Sequence, residues 1–162
     1  NEIDEYRLSV LAGYKRSKAE VLARMEQRKQ SKSQPQKQDD SYISLTELAR
    51  NHSKDAPGYV IQSWLRSENT LAFLNLWEQE NNPDYRETGY IELLEKKKTA
   101  SFTLTPKLWI EKTEAIGIAS KQGKGGGTFA HPMIGCEFAS WISPEFKMLL
   151  LKLSLDRERL KA

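Results

Sequence analysis

The stretch from Lys121 to Pro132 constrains the fold most, because four of the five residues from Gly123 to Gly127 are glycine. Only Lys121, Gln122 and Lys124 carry side chains between Ser120 and Thr128. Such a run opposes helix, tolerates positive φ and lets a partner come close to the backbone. Ile118 and Ala119 precede it and Thr128, Phe129 and Ala130 follow it. Short apolar segments on both sides of a glycine turn are the pattern of a β-hairpin. With lysines at its tip, the hairpin could cradle phosphate or lie along a nucleic-acid backbone. The same composition equally describes a mobile surface loop. These residues alone leave both readings open.

A chain of 162 residues fits one main domain with an appendage. Four tryptophans, six tyrosines and five phenylalanines are enough to build its core. The net charge of +3 does not make a general polycation, so basic residues matter by where they cluster. The single cysteine, Cys136, excludes an internal disulfide and a multi-cysteine zinc site. It reads as a small buried apolar residue, and a cytoplasmic location is expected. No apolar run reaches membrane-spanning length and no signal peptide is visible, so no membrane partner is expected. The chain starts at Asn1 rather than Met, which leaves room for a native segment upstream.

Residues 1–30 read as helical, with Ile3, Tyr6, Val10 and Tyr14 at helical spacing and Val21, Leu22 and Met25 after them. Ser17 and Glu20 match a capping box, so a second helix is expected near Lys18. Arg24, Arg28 and Lys29 give it a basic face, either plainly solvated or turned to an acidic partner or DNA. Residues 31–40 are polar and aperiodic and read as a linker. The main domain is expected over 41–155, with 156–162 extending its last helix.

Tyr42 and Ile43 read as a short strand. Ser44 then caps a helix, with Glu47 in the reciprocal position and Leu45, Leu48 and Ala49 on the apolar side. Residues 51–54 break it, and Pro57 sits where a first helical turn accepts proline. On this second helix Val60, Ile61, Trp64 and Leu65 line one face. Tyr59, Gln62, Ser63 and Arg66 line the other, at i, i+3, i+4 and i+7. That polar face has the side chains that read base edges: Gln for adenine, Arg for guanine, Ser for either. Helix, break and helix make a helix-turn-helix pattern, although any exposed helix face is polar.

A third helix is expected from Asn69, with Leu71, Phe73, Leu74, Leu76 and Trp77 in the core and a stop at Asn81–Pro83. Residues 85–98 are amphipathic, with Tyr90, Ile91, Leu93 and Leu94 inside, and end on Lys96, Lys97 and Lys98, which suit a helix C-terminus. Residues 101–104 alternate like a strand. Thr105 and Pro106 open a helix carrying Trp109, Ile110, Thr113 and Ile116, with Gly117 at its end. After the hairpin, Pro132 starts a helix with Ile134, Phe138, Trp141 and Ile142 inside. Pro144 starts a last one, with Phe146, Leu149, Leu150, Leu153 and Leu160 at core or coiled-coil spacing.

Catalytic patterns are sparse. Asp84, Glu95 and Lys97 formally fit a nuclease motif, in which paired carboxylates hold Mg²⁺ and a lysine stabilises phosphate charge. That motif belongs on adjacent strands, whereas this segment reads as helix. His52 and His131 form no metal-ligand set with clustered acids or cysteines. His131, before Pro132 at a helix start, suits a structural hydrogen bond or a phosphate contact. The glycine run lacks the ending of a nucleotide-binding P-loop. No enzyme activity, metal or cofactor is expected.

Several segments together resemble the KilA-N domain of bacteriophages, large DNA viruses and bacteria. They are residues 41–50, Trp64–Arg66, Phe73–Glu78, Thr105–Ile110, Ile116–Ile118, Gly125–His131 and Glu137–Lys147. They cover about residues 41–155 in the family's order. Residues 1–40 lie outside, where the family usually has a β-hairpin. The resemblance implies an α+β, winged helix-turn-helix fold with a small antiparallel sheet, related to the fungal APSES domain, here with an N-terminal helical extension. It implies double-stranded DNA as the partner and a phage or bacterial regulator or antirepressor as the role. Leu45–Asn51 would be the first motif helix, Pro57–Arg66 the recognition helix and Lys121–Thr128 the wing. Tyr59, Gln62, Ser63 and Arg66 would then face the major groove. Lys54, Lys121, Gln122, Lys124, Gly125, Gly126, Thr128 and His131 would complete the DNA surface. The competing class is an assembly module whose DNA face has decayed and which forms homo-oligomers through its N- or C-terminal helices.

Overall fold

The computed structural model describes Ala19, Ala23 and residues 41–160. The chain divides into two units, Asn1–Lys37 and Gln38–Ala162, and the elements below belong to the second. The expected N-terminal capping box, basic face and polar linker lie outside the described residues. Ala19 and Ala23 are helical and exposed.

The second unit is α+β. Strand β1 (Ile43–Ser44) leads into α1 (Leu45–His52) and α2 (Pro57–Leu65), followed by α3 (Glu68–Asn81), α4 (Glu87–Lys96) and α5 (Pro106–Thr113). A hairpin of β2 (Ile118–Lys121) and β3 (Gly127–Ala130) comes next, then α6 (Pro132–Ile142) and α7 (Pro144–Leu160). Local chemistry sets these starts. Ser44 Oγ accepts from the Glu47 N–H at 3.1 Å and Thr105 Oγ1 from the Leu108 N–H at 3.1 Å. Pro57, Pro106 and Pro132 occupy first turns, where no N–H is needed.

The sheet is antiparallel in the order β1–β3–β2. Ala130 faces both Ile43 and Ile118, and Phe129 faces both Ser44 and Ala119. The strand leading into the first helix therefore lies beside the returning strand of the glycine hairpin. Behind the sheet, Leu45, Trp64, Leu71, Leu74, Trp109, Ile134 and Phe138 form a continuous core.

Three local expectations are corrected. Residues 101–104 form no strand: the Phe102 N–H closes a turn on the Thr99 carbonyl, and the segment buries Leu104 without a ladder. Helix α5 ends at Thr113, where Glu114 takes the left-handed conformation at φ 55°. Gly117 is instead a close-packing site, since a Cβ there would lie 2.5 Å from Ile134 Cδ1 and 2.7 Å from the Trp77 ring. Leu76, Ile91 and Trp141, expected inside, are about half exposed. Leu76 and Ile91 sit across the helix from the buried stripes through Leu71 and Leu74 and through Gly89 and Leu93. Trp141 lies a turn past Phe138, beyond the edge of the core.

Candidate nucleic-acid interface

Helix α2 is held by one face and offers the other. Val60, Ile61, Trp64 and Leu65 are buried, and the Trp64 ring meets Phe138 edge-on at 5.0 Å. Tyr59 and Arg66 are exposed on the other side, with Gln62 and Ser63 half-buried between them. Arg66 follows the last helical residue but keeps helical angles, φ −70° and ψ −25°, so it continues the same row. Its guanidinium lies 5.4 Å from the centre of the Tyr59 ring, a cation–π contact that lays the side chain along the helix.

The hairpin is the second part. Ser120 faces Thr128 and Lys121 faces Gly127 at its base. At the tip the Gly126 N–H donates to the Gly123 carbonyl at 2.9 Å, which puts Lys124 and Gly125 in the middle of the turn. Gly125 has φ +75°, the positive value a type II turn needs at that place. Lys124 therefore stands exposed at the apex, next to exposed Gln122 and a half-exposed Gly126. Lys121 lies with Nζ 5.1 Å from the Phe129 ring centre.

Helix and hairpin are joined through one threonine. Thr46, in the first turn of α1, accepts the Thr128 N–H on Oγ1 at 2.9 Å. Gly127 has φ +143°, and a Cβ there would lie 2.7 Å from the same oxygen. With β1 paired to β3 as well, the start of the helix-turn-helix and the return strand of the hairpin form one frame. Thr128 is nearly buried and spends its N–H on this link.

His131 also turns inward. Its Nδ1 accepts the Met133 N–H at 3.1 Å, capping α6, and its own N–H donates to the Gly117 carbonyl at 2.9 Å. Its ring packs 5.0 Å from Trp77 and 6.1 Å from Tyr42. Thr128 and His131 thus position the face by internal bonds.

Some of the surface lysines are paired with acids. Lys98 pairs with Glu95 at 2.8 Å, Lys112 with Glu92 at 3.7 Å and Lys107 with Glu111 at 3.9 Å. Lys54, in the α1–α2 turn, and Lys121 and Lys124 are exposed and form no ion pair with a described acid. Their positive charge remains available to an anionic partner.

One buried residue gives no sign of its role in the sequence: Glu78, which is 1% exposed. Its carboxylate accepts the Gly117 N–H at 2.7 Å, the Ile116 N–H at 3.1 Å and Asn82 Nδ2 at 2.8 Å. Burial pushes its pKa above the ordinary value, by more than these hydrogen bonds lower it. Asn82 Nδ2 also donates to the Glu114 carbonyl at 2.8 Å, and Tyr42 Oη donates to the Ile116 carbonyl at 2.8 Å. The segment entering the hairpin is thereby pinned to α3. The one available hint is position, since Glu78 follows Leu71 and Leu74 on the buried stripe of its helix.

The nuclease motif is not assembled on adjacent strands. Asp84 lies in the turn after α3, Glu95 is helical, and Lys97 Nζ donates to the Arg66 carbonyl. Among the described residues no three of His, Cys, Asp or Glu are grouped to hold a metal. No helix among them is long and apolar enough to cross a membrane.

Residues 26–157 match the model of the KilA-N domain family. A stretch of 58 residues is 41% identical to Protein kilA of Escherichia phage P1. It spans 33% of this chain and only 22% of the phage protein. No solved structure gives a significant match.

Proposed function

The chain belongs to the KilA-N domain family, and from that footing we propose that it binds duplex DNA, with α2 in the major groove and the β2–β3 hairpin as a wing. The observation that carries this reading is the frame set by Thr46. It holds the polar face of α2, through α1, and the unpaired lysines of the hairpin in one body. Lys54, Lys121, Lys124 and the Gly125 N–H contact phosphates and set register, while the Gly126 N–H holds the turn that presents them. Gln62 and Arg66 read base edges, flanked by Tyr59 and Ser63, and Gln122 or Lys124 reaches an adjacent groove. Thr128 and His131 hold these groups in place. The role is that of a phage-type regulator, repressor or antirepressor, acting in the bacterial cytoplasm.

Selection of binding sites from a random duplex pool at fixed salt tests the proposal, and a chain that enriches no sequence would count against it. Lys121→Ala with Lys124→Ala should weaken binding to all duplexes alike. It should also lower the slope of log affinity against log salt by about 0.9 for each phosphate no longer neutralised. Gln62→Ala should instead change the selected sequence, at a cost of about 1–3 kcal/mol on the preferred site.

Self-association is a second reading, supported by α7. Its Met148, Leu149, Leu151, Leu153 and Leu155 are each about half exposed, which is more apolar surface than a solvated helix needs.

A further inference from the structure

We propose that Lys96 and Lys98 form a second phosphate clamp at the C-terminal end of α2, and this rests on the DNA-binding reading above. The observation is the hydrogen bond from Lys97 Nζ to the main-chain carbonyl of Arg66. Arg66 is the last residue of the polar row on α2, and its carbonyl is one of those a helix end leaves unpaired. Lys97 fills that acceptor and is partly buried, and burial lowers its pKa. It is the anchor, and it fixes its neighbours on either side of the helix exit.

Helix dimensions indicate what lies there. The nine residues of α2 span about 13 Å at 1.5 Å each. The major groove is about 12 Å wide. A helix that long, laid across the groove, brings both its ends to the phosphate walls. Lys54 stands just before one end. The run 96–98 stands at the other, at a place where α2 itself supplies no lysine.

The charges facing the run decide which lysines are available. Lys97 is committed to Arg66 and feels Glu68 across the turn. Lys98 pairs with Glu95 at 2.8 Å, but both side chains are about two-thirds exposed, so the pair is weak and exchangeable for a phosphate. Lys96 is exposed and pairs with no described acid. Its carbonyl accepts the Thr99 hydroxyl at 2.6 Å, which closes the chain into a turn around the run.

The test uses the whole chain and a duplex selected from a random pool, with affinity measured by fluorescence anisotropy from 50 to 200 mM salt. Lys96→Ala with Lys98→Ala should free two phosphates, so the fold loss of affinity over that range shrinks by about tenfold. Hydroxyl-radical protection should vanish on one flank of the site and persist beneath the wing. Glu95→Gln, which releases Lys98, should tighten binding. The double variant should melt at the wild-type temperature, since both side chains are exposed. Unchanged salt dependence and protection in the double variant, with both altered in Lys121→Ala/Lys124→Ala, overturns the clamp and leaves the wing standing. A wild-type chain with no affinity for any duplex overturns the DNA-binding reading and the clamp with it.

Discussion

Glu78 is the residue on which the proposed interface leans most, although it is buried. Replacing it with alanine strands the buried N–H of Gly117 and the N–H of Ile116. Glu78→Ala should therefore cost about 3 kcal/mol or more in urea unfolding. The residue also has a pH signature. Its native pKa lies above the ordinary 4.5, so the folded chain holds this proton to higher pH than the unfolded chain does. The stabilisation from this group is full below that ordinary value and falls as pH rises through the native one. Unfolding free energies measured upward from about pH 4 should show that downward component. Glu78→Gln should flatten it, and an identical profile in the variant would show that Glu78 is not its source. At this scale the sequence is only partly legible. The polar row of α2 can be read because its spacing is local. The main-chain partners of Glu78 cannot, since they lie 38 and 39 residues away and carry no mark of their own.

Among the elements, the hairpin and α1 are the pair to separate. The hairpin is legible because glycine density and the flanking apolar segments are local signals. Its attachment is not, because Thr46 and Thr128 are 82 residues apart. The supposed strand at 101–104 shows the opposite failure. Its alternation is real, but one buried Leu104 and a turn on Thr99 account for it, and only a partner strand makes a strand. Thr46→Val keeps the volume of the side chain and removes the acceptor. It should cost about 1 kcal/mol and speed amide exchange at Thr128. It should weaken DNA binding beyond what the reduced stability explains. Unaltered exchange at Thr128 would mean that the β1–β3 ladder alone secures the wing.

For the whole molecule the open surface is α7. The sequence pattern of leucines is compatible with core or with coiled coil, and periodicity does not separate the two. The fold does, by leaving Leu149 and Leu153 exposed. A two-fold axis between two α7 helices, at the level of Leu151, would set Leu149 of one copy against Leu153 of the other, and Glu145 against Arg157. Sedimentation of the chain should then show a dimer, and Leu149→Lys with Leu153→Lys should return it to a monomer without unfolding it. A monomeric wild type at high concentration would remove this contact.

The β1–β3–β2 order has one more consequence, for the DNA rather than the protein. Because the return strand of the hairpin pairs with the strand that launches α1, the two DNA contacts proposed above are the jaws of a caliper with no adjusting screw. Adding one base pair between their contacts lengthens the gap by about 3.4 Å and turns it by about a tenth of a turn. A frame bonded at both ends does not stretch to follow. Binding sites for this chain should accordingly tolerate a changed base far better than an inserted one.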